Sequence, residues 1–318
     1  MATTTTATSN YRGELYLIGA NQTPFLNMAG GLNDGKRSAS FSFPMAQTYA
    51  LNDATQNVQT ETASIAAGTP ETYTRSEKTN TAQIMKYDAA VSFKKQSQYG
   101  LMSGINTNDG NPVNDELLFQ KSAGLRQMAK DLEFSFLQGT YVDGAAVGTA
   151  AQTRGIIEGT TSNNITAGSV DLSKALIDEL LRTMAASGAI FENCVIFVNA
   201  FQKQAITNIY GYAPTDRNIG GVDVRQLETD FANISIVYAP QMPAGNVQIA
   251  EMSAVNPVFV PVMFNGEEFV TDMSAGSDVL WVPTAVTTAA KGGFYYTQVG
   301  LDYGPQEYHG KITGLTTS

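Results

Sequence analysis

One histidine, His309, and one cysteine, Cys194, are all that the chain offers of the two side chains most often used for acid–base and nucleophilic work near neutral pH. A Ser-His-Asp relay would have to run through His309, which stands in a Tyr308-His309-Gly310 turn near the C-terminus. A turn histidine of this kind reads as a partner for backbone groups, replaceable with folding nearly intact. Cys194 opens the apolar run Cys194-Val195-Ile196-Phe197-Val198. Those neighbours make it a buried small hydrophobe, not a thiol in the electropositive, partly open setting that activates a nucleophile. Zinc sites need several His or Cys ligands, so one of each excludes a structural zinc. Neither GxxxxGK[ST] nor GxGxxG occurs, so the standard nucleotide cradles are missing. Asp171, Glu179, Glu267 and Glu268 read as solvated acidic positions, and nothing near them supports a cation site. The sequence thus yields no catalytic residue, no cofactor-binding residue and no metal ligand. The enzyme reading left standing against this is a small-molecule hydrolase working through Cys194 or a serine.

The surface carries more information. Of the 318 residues only 15% are charged, against about 25% in an average soluble protein. Much of the polar surface must then be Thr, Ser, Asn, Gln and backbone, which cost less to bury than ions. That favours extensive subunit contact. The net charge is −10 and no cluster of five Lys or Arg occurs. Tight binding of nucleic acid by phosphate neutralisation is therefore not expected, although an acidic surface can enclose nucleic acid. A lone cysteine forms no intrachain disulfide and fits a reducing cytoplasm. No basic n-region with an apolar h-region opens the chain, and no run of about 18 apolar residues occurs. No secretory signal and no membrane span are expected.

These side chains hang on a pattern of elements. Residues 1–32 read as an arm, with an apolar patch at Leu15, Leu17, Ile18 and Phe25. Asn33-Asp34-Gly35 signals a turn. Two runs follow, Ser40 to Met45 and Gln83 to Phe93, with Phe41, Phe43, Met45, Met85, Tyr87, Val91 and Phe93 on odd positions. Period two predicts a ribbon formed by these two runs, apolar on one face. Between them Gln47 to Thr81 is polar and cannot bury itself. A structureless loop of that length is improbable within a compact domain, which makes it an arm that orders on another molecule. Lys78 lies within it.

Asn114 to Leu137 predicts a long helix, about 35 Å at 1.5 Å per residue. Asn114 is its expected cap, and Leu118, Leu125, Met128, Ala129, Leu132 and Phe136 are its buried stripe. Gly139 to Gly168 reads as loop. An α/β alternation follows: a helix capped by Asp171, the strand Cys194 to Val198, a helix from Phe201 to Tyr210, and strands at Val222–Leu227, Ile234–Tyr238 and Val247–Ala250. Tyr210 to Gly221 reads as a surface loop, or more sharply as a subunit contact near a symmetry axis. Long β segments return at Val258–Met263, Phe294–Leu301 and Lys311–Leu315.

The order of arm, long extended loop, spine helix, α/β insertion and return strands resembles the major capsid protein of tailed bacteriophages, the Hong-Kong-97-like α+β fold. Local strings carry the resemblance: Asp131-Leu132-Glu133-Phe134-Ser135-Phe136-Leu137-Gln138-Gly139, Gln152-Thr153-Arg154-Gly155-Ile156, Val198-Asn199-Ala200-Phe201-Gln202-Lys203-Gln204, Tyr210-Gly211-Tyr212-Ala213-Pro214, Gly300-Leu301-Asp302-Tyr303-Gly304-Pro305 and His309-Gly310-Lys311-Ile312-Thr313-Gly314-Leu315. The resemblance implies an N-terminal arm at 1–32 and an extended loop at 33–98. It implies a peripheral domain at 99–169, carrying the spine helix, and again at 255–318, with an axial domain at 170–254. It implies hexamers and pentamers closing an icosahedral virion shell around double-stranded DNA, assembled in the host cytoplasm. Separate scaffolding, portal and decoration proteins are the implied helpers. Some family members cross-link Lys to Asn between chains; Lys78 is a conceivable donor with no local support. A prokaryotic nanocompartment shell of the same fold is the alternative.

Overall fold

The computed structural model describes residues 17–19, 21–32, 34–68, 70–96, 116–144, 146, 148–210, 226–265, 267–269, 278–286 and 288–317. In chain order it opens with α1 (Pro24–Ala29), β1 (Lys36–Arg37), β2 (Ser42–Tyr49), α2 (Glu61–Ser64), β3 (Arg75–Thr81), β4 (Gln83–Ser92) and α3 (Phe93–Gln96). The long helix α4 (Glu116–Gln138), α5 (Ile156–Gly159) and β5 (Asn164–Val170) follow. Next come α6 (Lys174–Ala186), β6 (Cys194–Val198), α7 (Ala200–Tyr210), β7 (Gln226–Glu228), β8 (Asn233–Tyr238) and β9 (Val247–Glu251). The chain ends with β10 (Asn256–Phe259), β11 (Met263–Phe264), β12 (Glu267–Glu268), β13 (Leu280–Pro283), β14 (Ala290–Asp302) and β15 (Gly310–Leu315).

Two sheets organise the body. In the first, β14 is the hub: it pairs antiparallel with β10, β13 and, along most of its length, β4. Helix α4 lies against this sheet through Met128, Leu132, Phe136 and Leu137, which share one core with Val299, Leu301 and Tyr303. The second sheet runs β5-β15-β9-β6-β8-β7 and is mixed, parallel at β5/β15 and β6/β8. Its central strands β6 and β9 are buried at every position, which is why Cys194 to Val198 reads as unbroken apolar sequence. Helix α6 covers it with Ile177, Leu180, Leu181 and Met184. The sheet draws β15, and all of β5 except Val170, from outside the stretch 170–254, so the insertion is stitched to the chain that precedes and follows it.

Several expectations change. The ribbon is formed by β2 and β3, Ser42 opposite Thr81 through Tyr49 opposite Arg75, not by the run 83–93. That second run is β4, inside the first sheet. Its alternation needs a core to face, and α4 supplies one: Met85 and Tyr87 pack on it and Val91 is fully buried. Strand β3 is polar throughout, so it carries no period-two signal; it pairs through backbone, helped by Thr48–Ser76 and Gln47–Glu77 side-chain bonds. Phe41 and Phe93 are exposed, outside the apolar face expected for them. Leu118, placed on the helix stripe, is 63% exposed, and Leu125 is only partly buried. The strand expected at Val258–Met263 stops at Phe259. Helix α6 is capped by Ser173, whose Oγ accepts the Leu176 N–H at 3.4 Å, not by Asp171. The loop expected over 139–168 contains α5 and most of β5. Asn114, Leu15 and residues 211–225 lie outside the described residues.

Candidate functional site: the ribbon and its root

Beyond its paired strands the ribbon is exposed. Residues 49–68 and 70–77 all face solvent, among them Tyr49, Leu51, Val58, Ile65 and Tyr73. The one helix between β2 and β3 among the described residues is the single turn α2, capped by the Thr60 hydroxyl accepting the Ala63 N–H at 3.2 Å. Five large apolar or aromatic side chains held out in water on a thin polar ribbon have no cover among the described residues. A two-stranded ribbon is marginal alone, so its order depends on what it is rooted in and what it lies on.

The root is well built. Phe43 and Asn80 face each other across β2 and β3, and both are buried. Phe43 packs with Ala82, Val258 and Val260. It lies so close over Gly300 that a Cβ there would come within 2.7 Å of its ring. Asn80 donates through Nδ2 to the carbonyls of Leu301 (2.7 Å) and Arg154 (3.1 Å). Its Oδ1 accepts the N–H groups of Arg154 (2.8 Å) and Thr81 (2.9 Å). Next to it the Thr153 hydroxyl accepts the Leu301 N–H at 3.0 Å. Just outside the root the register shifts between Pro44 and Gln47, an irregularity of the kind that bends a strand.

Lys78, the conceivable cross-link donor, is half-buried at this root. Burial pulls its pKa down, Arg154 adds to that, and Glu307 opposes it. No Asn side chain is recorded bonded to it among the described residues.

The single histidine and the single cysteine do meet a common residue, Glu251, which sequence spacing did not reveal. Cys194 and Glu251 are register partners on β6 and β9, and the thiol donates to Oε2 at 3.2 Å. His309 accepts the Glu251 N–H on Nδ1 at 3.2 Å, which leaves Nε2 to donate to the Tyr303 carbonyl. Burial, then the Glu251 bond and charge, push the thiol well above its ordinary pKa. Burial likewise holds His309 below its ordinary value, against the Tyr303 bond and the charges of Glu251 and Glu307. Both ring nitrogens are committed to backbone and the ring is fully buried, so no substrate reaches it. Burial raises the Glu251 pKa, yet bonds from Ser253, Cys194 and the Asn193 N–H outweigh it and keep the carboxyl below the usual value. His309 thus does bond backbone as read, but from inside the core rather than from a surface turn.

Asp171, Glu179, Glu267 and Glu268 are dispersed: one before α6, one on it, and two on the β11–β12 hairpin, where Glu268 pairs with Arg37 at 3.2 Å. Among the described residues no three His, Cys, Asp or Glu gather as a metal site, and no helix is long and apolar enough to cross a membrane.

A rooted, exposed ribbon beside a long helix and two sheets matches the order of elements on which the resemblance was drawn. The family model described as SU10 major capsid protein matches residues 1–316. The chain belongs to that family. No sequence among the curated proteins matches this capsid protein. Among solved structures it is similar to the capsid asymmetric unit of cyanophage A-1(L), at 12% identity and TM-score 0.64, covering 97% of this chain and 96% of that one. It is also similar to the capsid of a native GTA particle, at 12% identity and TM-score 0.57, covering 99% and 96%. The encapsulin of the holo-SrpI complex from Synechococcus elongatus PCC 7942 shares the fold at 8% identity and TM-score 0.54, covering 96% and 94%. The capsid protein therefore has the Hong-Kong-97-like fold, mixed helix and strand, expected from its element order.

Proposed function

We propose that this major capsid protein assembles as hexamers and pentamers into an icosahedral phage head around double-stranded DNA, and that it has no catalytic role. The observation that carries this is the ribbon: residues 49–68 exposed, with Leu51, Val58 and Ile65 lacking any cover among the described residues. A second copy is the surface they fit, and many weak contacts of this kind sum over a closed shell. On this reading the extended loop is the ribbon from β2 to β3, inside the expected 33–98, because β4 belongs to the first sheet. The first sheet with α4 belongs to the peripheral domain, and the sheet built around β6 and β9 to the axial domain. The net charge of −10 fits DNA held as contents, not as a neutralised ligand. Separate scaffolding, portal and decoration proteins, and assembly in the host cytoplasm, complete the proposal. A nanocompartment shell has support only from the shared fold of the encapsulin.

The test is expression with and without a candidate scaffold, followed by velocity sedimentation and electron microscopy. Capsomers or closed shells are expected. A dilute monomer under every condition, with no particles on the grid, overturns the proposal. Shells that recruit a cargo enzyme instead of packaging DNA select the nanocompartment.

A further inference from the structure

We propose that Asn80 is the positioning residue that sets the direction in which the ribbon leaves the body, so that the arm projects pre-aimed at a neighbouring copy; the last clause rests on the assembly reading above. Asn80 is fully buried, and all its hydrogen-bonding capacity is used. Its partners come from three places far apart in sequence: Thr81 on its own strand, Arg154 in the segment after α4, and Leu301 at the end of β14. One side chain thus ties the ribbon to the end of β14 and to the segment between α4 and α5. A flat amide holding two carbonyls and two N–H groups fixes orientation as well as position, which apolar packing alone does not do.

The neighbours concentrate that role in Asn80. Its cross-strand partner Phe43 presses on Gly300 but gives no directional bond. Beyond this pair the ribbon's recorded side-chain bonds, Gln47–Glu77 and Thr48–Ser76 among them, stay within the ribbon. The register shift between Pro44 and Gln47 places the bend immediately outside the anchored pair. Any rotation about Asn80 is magnified along the arm, because β2 and β3 extend from it as a lever.

The test measures direction apart from assembly. Spin labels at Tyr49→Cys, at the outer end of β2, and Arg126→Cys, on the exposed face of α4, report the ribbon-to-body distance in the unassembled chain; Cys194 is buried and escapes labelling. A single narrow distance distribution is expected in the otherwise unaltered protein. Asn80→Ala should broaden or move it while melting stays cooperative, and shells from that variant should be lost or misshapen in the microscope. A broad distribution in the Asn80 protein, or one that Asn80→Ala leaves unchanged, overturns the proposal. Should Asn80→Ala not fold, Asn80→Asp decides by the same criterion, since it keeps both acceptor bonds and loses both donors. Failure of both to fold assigns Asn80 a purely structural role and also overturns it. If the Asn80 protein makes no shells yet the distances respond as described, Asn80 keeps its positioning role and the assembly reading falls.

Discussion

Glu133, on the buried side of α4, closes one carboxylate oxygen on the backbone N–H of Leu26 at 2.6 Å. Its other oxygen takes the Phe25 N–H at 3.0 Å. Two residues more than a hundred positions apart are clamped in this way, and the short helix α1 is docked with Phe25 and Leu26 fully in the core. The first turn of a helix leaves N–H groups without partners, and an acid from another element satisfies two of them here. Phe25 then meets Phe197 edge-on at 5.1 Å, so the same contact reaches the strand β6.

This clamp titrates. Burial raises the Glu133 pKa to about 7 from an ordinary 4.5, while the Leu26 and Phe25 N–H groups pull it down. The folded state therefore holds a proton that the unfolded chain releases near pH 4.5. The stability so gained is fully present below that pH and is lost as pH rises through 7, on the order of 3 kcal/mol across the window. Urea midpoints of the parent protein and of Glu133→Gln, followed across this window, should diverge: the parent declines relative to the variant as pH rises. Parallel curves would show that the carboxyl keeps its ordinary pKa.

His309 works in the opposite direction. Its folded pKa lies below the ordinary 6.5, so the unfolded chain takes up the extra proton on acidification. The stability it contributes is present above pH 6.5 and is lost as pH falls below that value. His309→Ala should cost about 3 kcal/mol, since it opens a cavity and strands the Glu251 N–H and the Tyr303 carbonyl in the core. A thermal melt matching that of the parent would contradict the burial and both bonds. The replaceable turn histidine expected from sequence gives way because His309, on the link from β14 to β15, is fully buried and bonded to Glu251 and Tyr303, a fact of tertiary packing.

That contrast marks what was legible in the chain. Helix α4 and the strands β6, β8, β9, β14 and β15 could be read because their apolar periods match their burial, as at Cys194 to Val198. Helix α1 could not be read as docked: Pro24 and Phe25 signal little until Glu133 is known to reach them. Strand β3 could not be read at all, since Arg75 to Thr81 has no apolar alternation and is specified by backbone pairing and by Asn80. The exposure of the stretch before β3 was legible in its polar composition. Its root at Phe43 and Asn80 was hidden, because a buried Asn looks the same in sequence as an exposed one.

The face of α4 gives a sharper check of packing. Leu132 is fully buried and Leu118 is 63% exposed. Leu132→Ala should cost roughly 2–5 kcal/mol by calorimetry. Leu118→Ala should stay within about 0.5 kcal/mol of the parent. Equal losses at the two positions would place the helix in the wrong rotation.

The ribbon can be removed without touching its root. Deleting Leu51 to Tyr73 and joining the ends with a short Gly/Ser turn keeps β2, β3, Phe43 and Asn80. A larger cut running through β3 would tear Asn80 from Arg154 and Leu301 and confuse loss of reach with loss of core. None of the described residues in the removed stretch is buried, so circular dichroism and the melting temperature should barely change. At about 3.3 Å per residue, each half of it reaches on the order of 40 Å, far enough to lie across a neighbouring copy. On the proposed assembly its Thr, Gln and Asn side chains and backbone would form hydrogen bonds there worth about 1 kcal/mol each, summed over every subunit of the shell. Particle counts should therefore collapse while the monomer stays folded. Robust particles from the deletion variant would show that the arm does not hold copies together. An unfolded variant would show that residues 51–73 support the core after all.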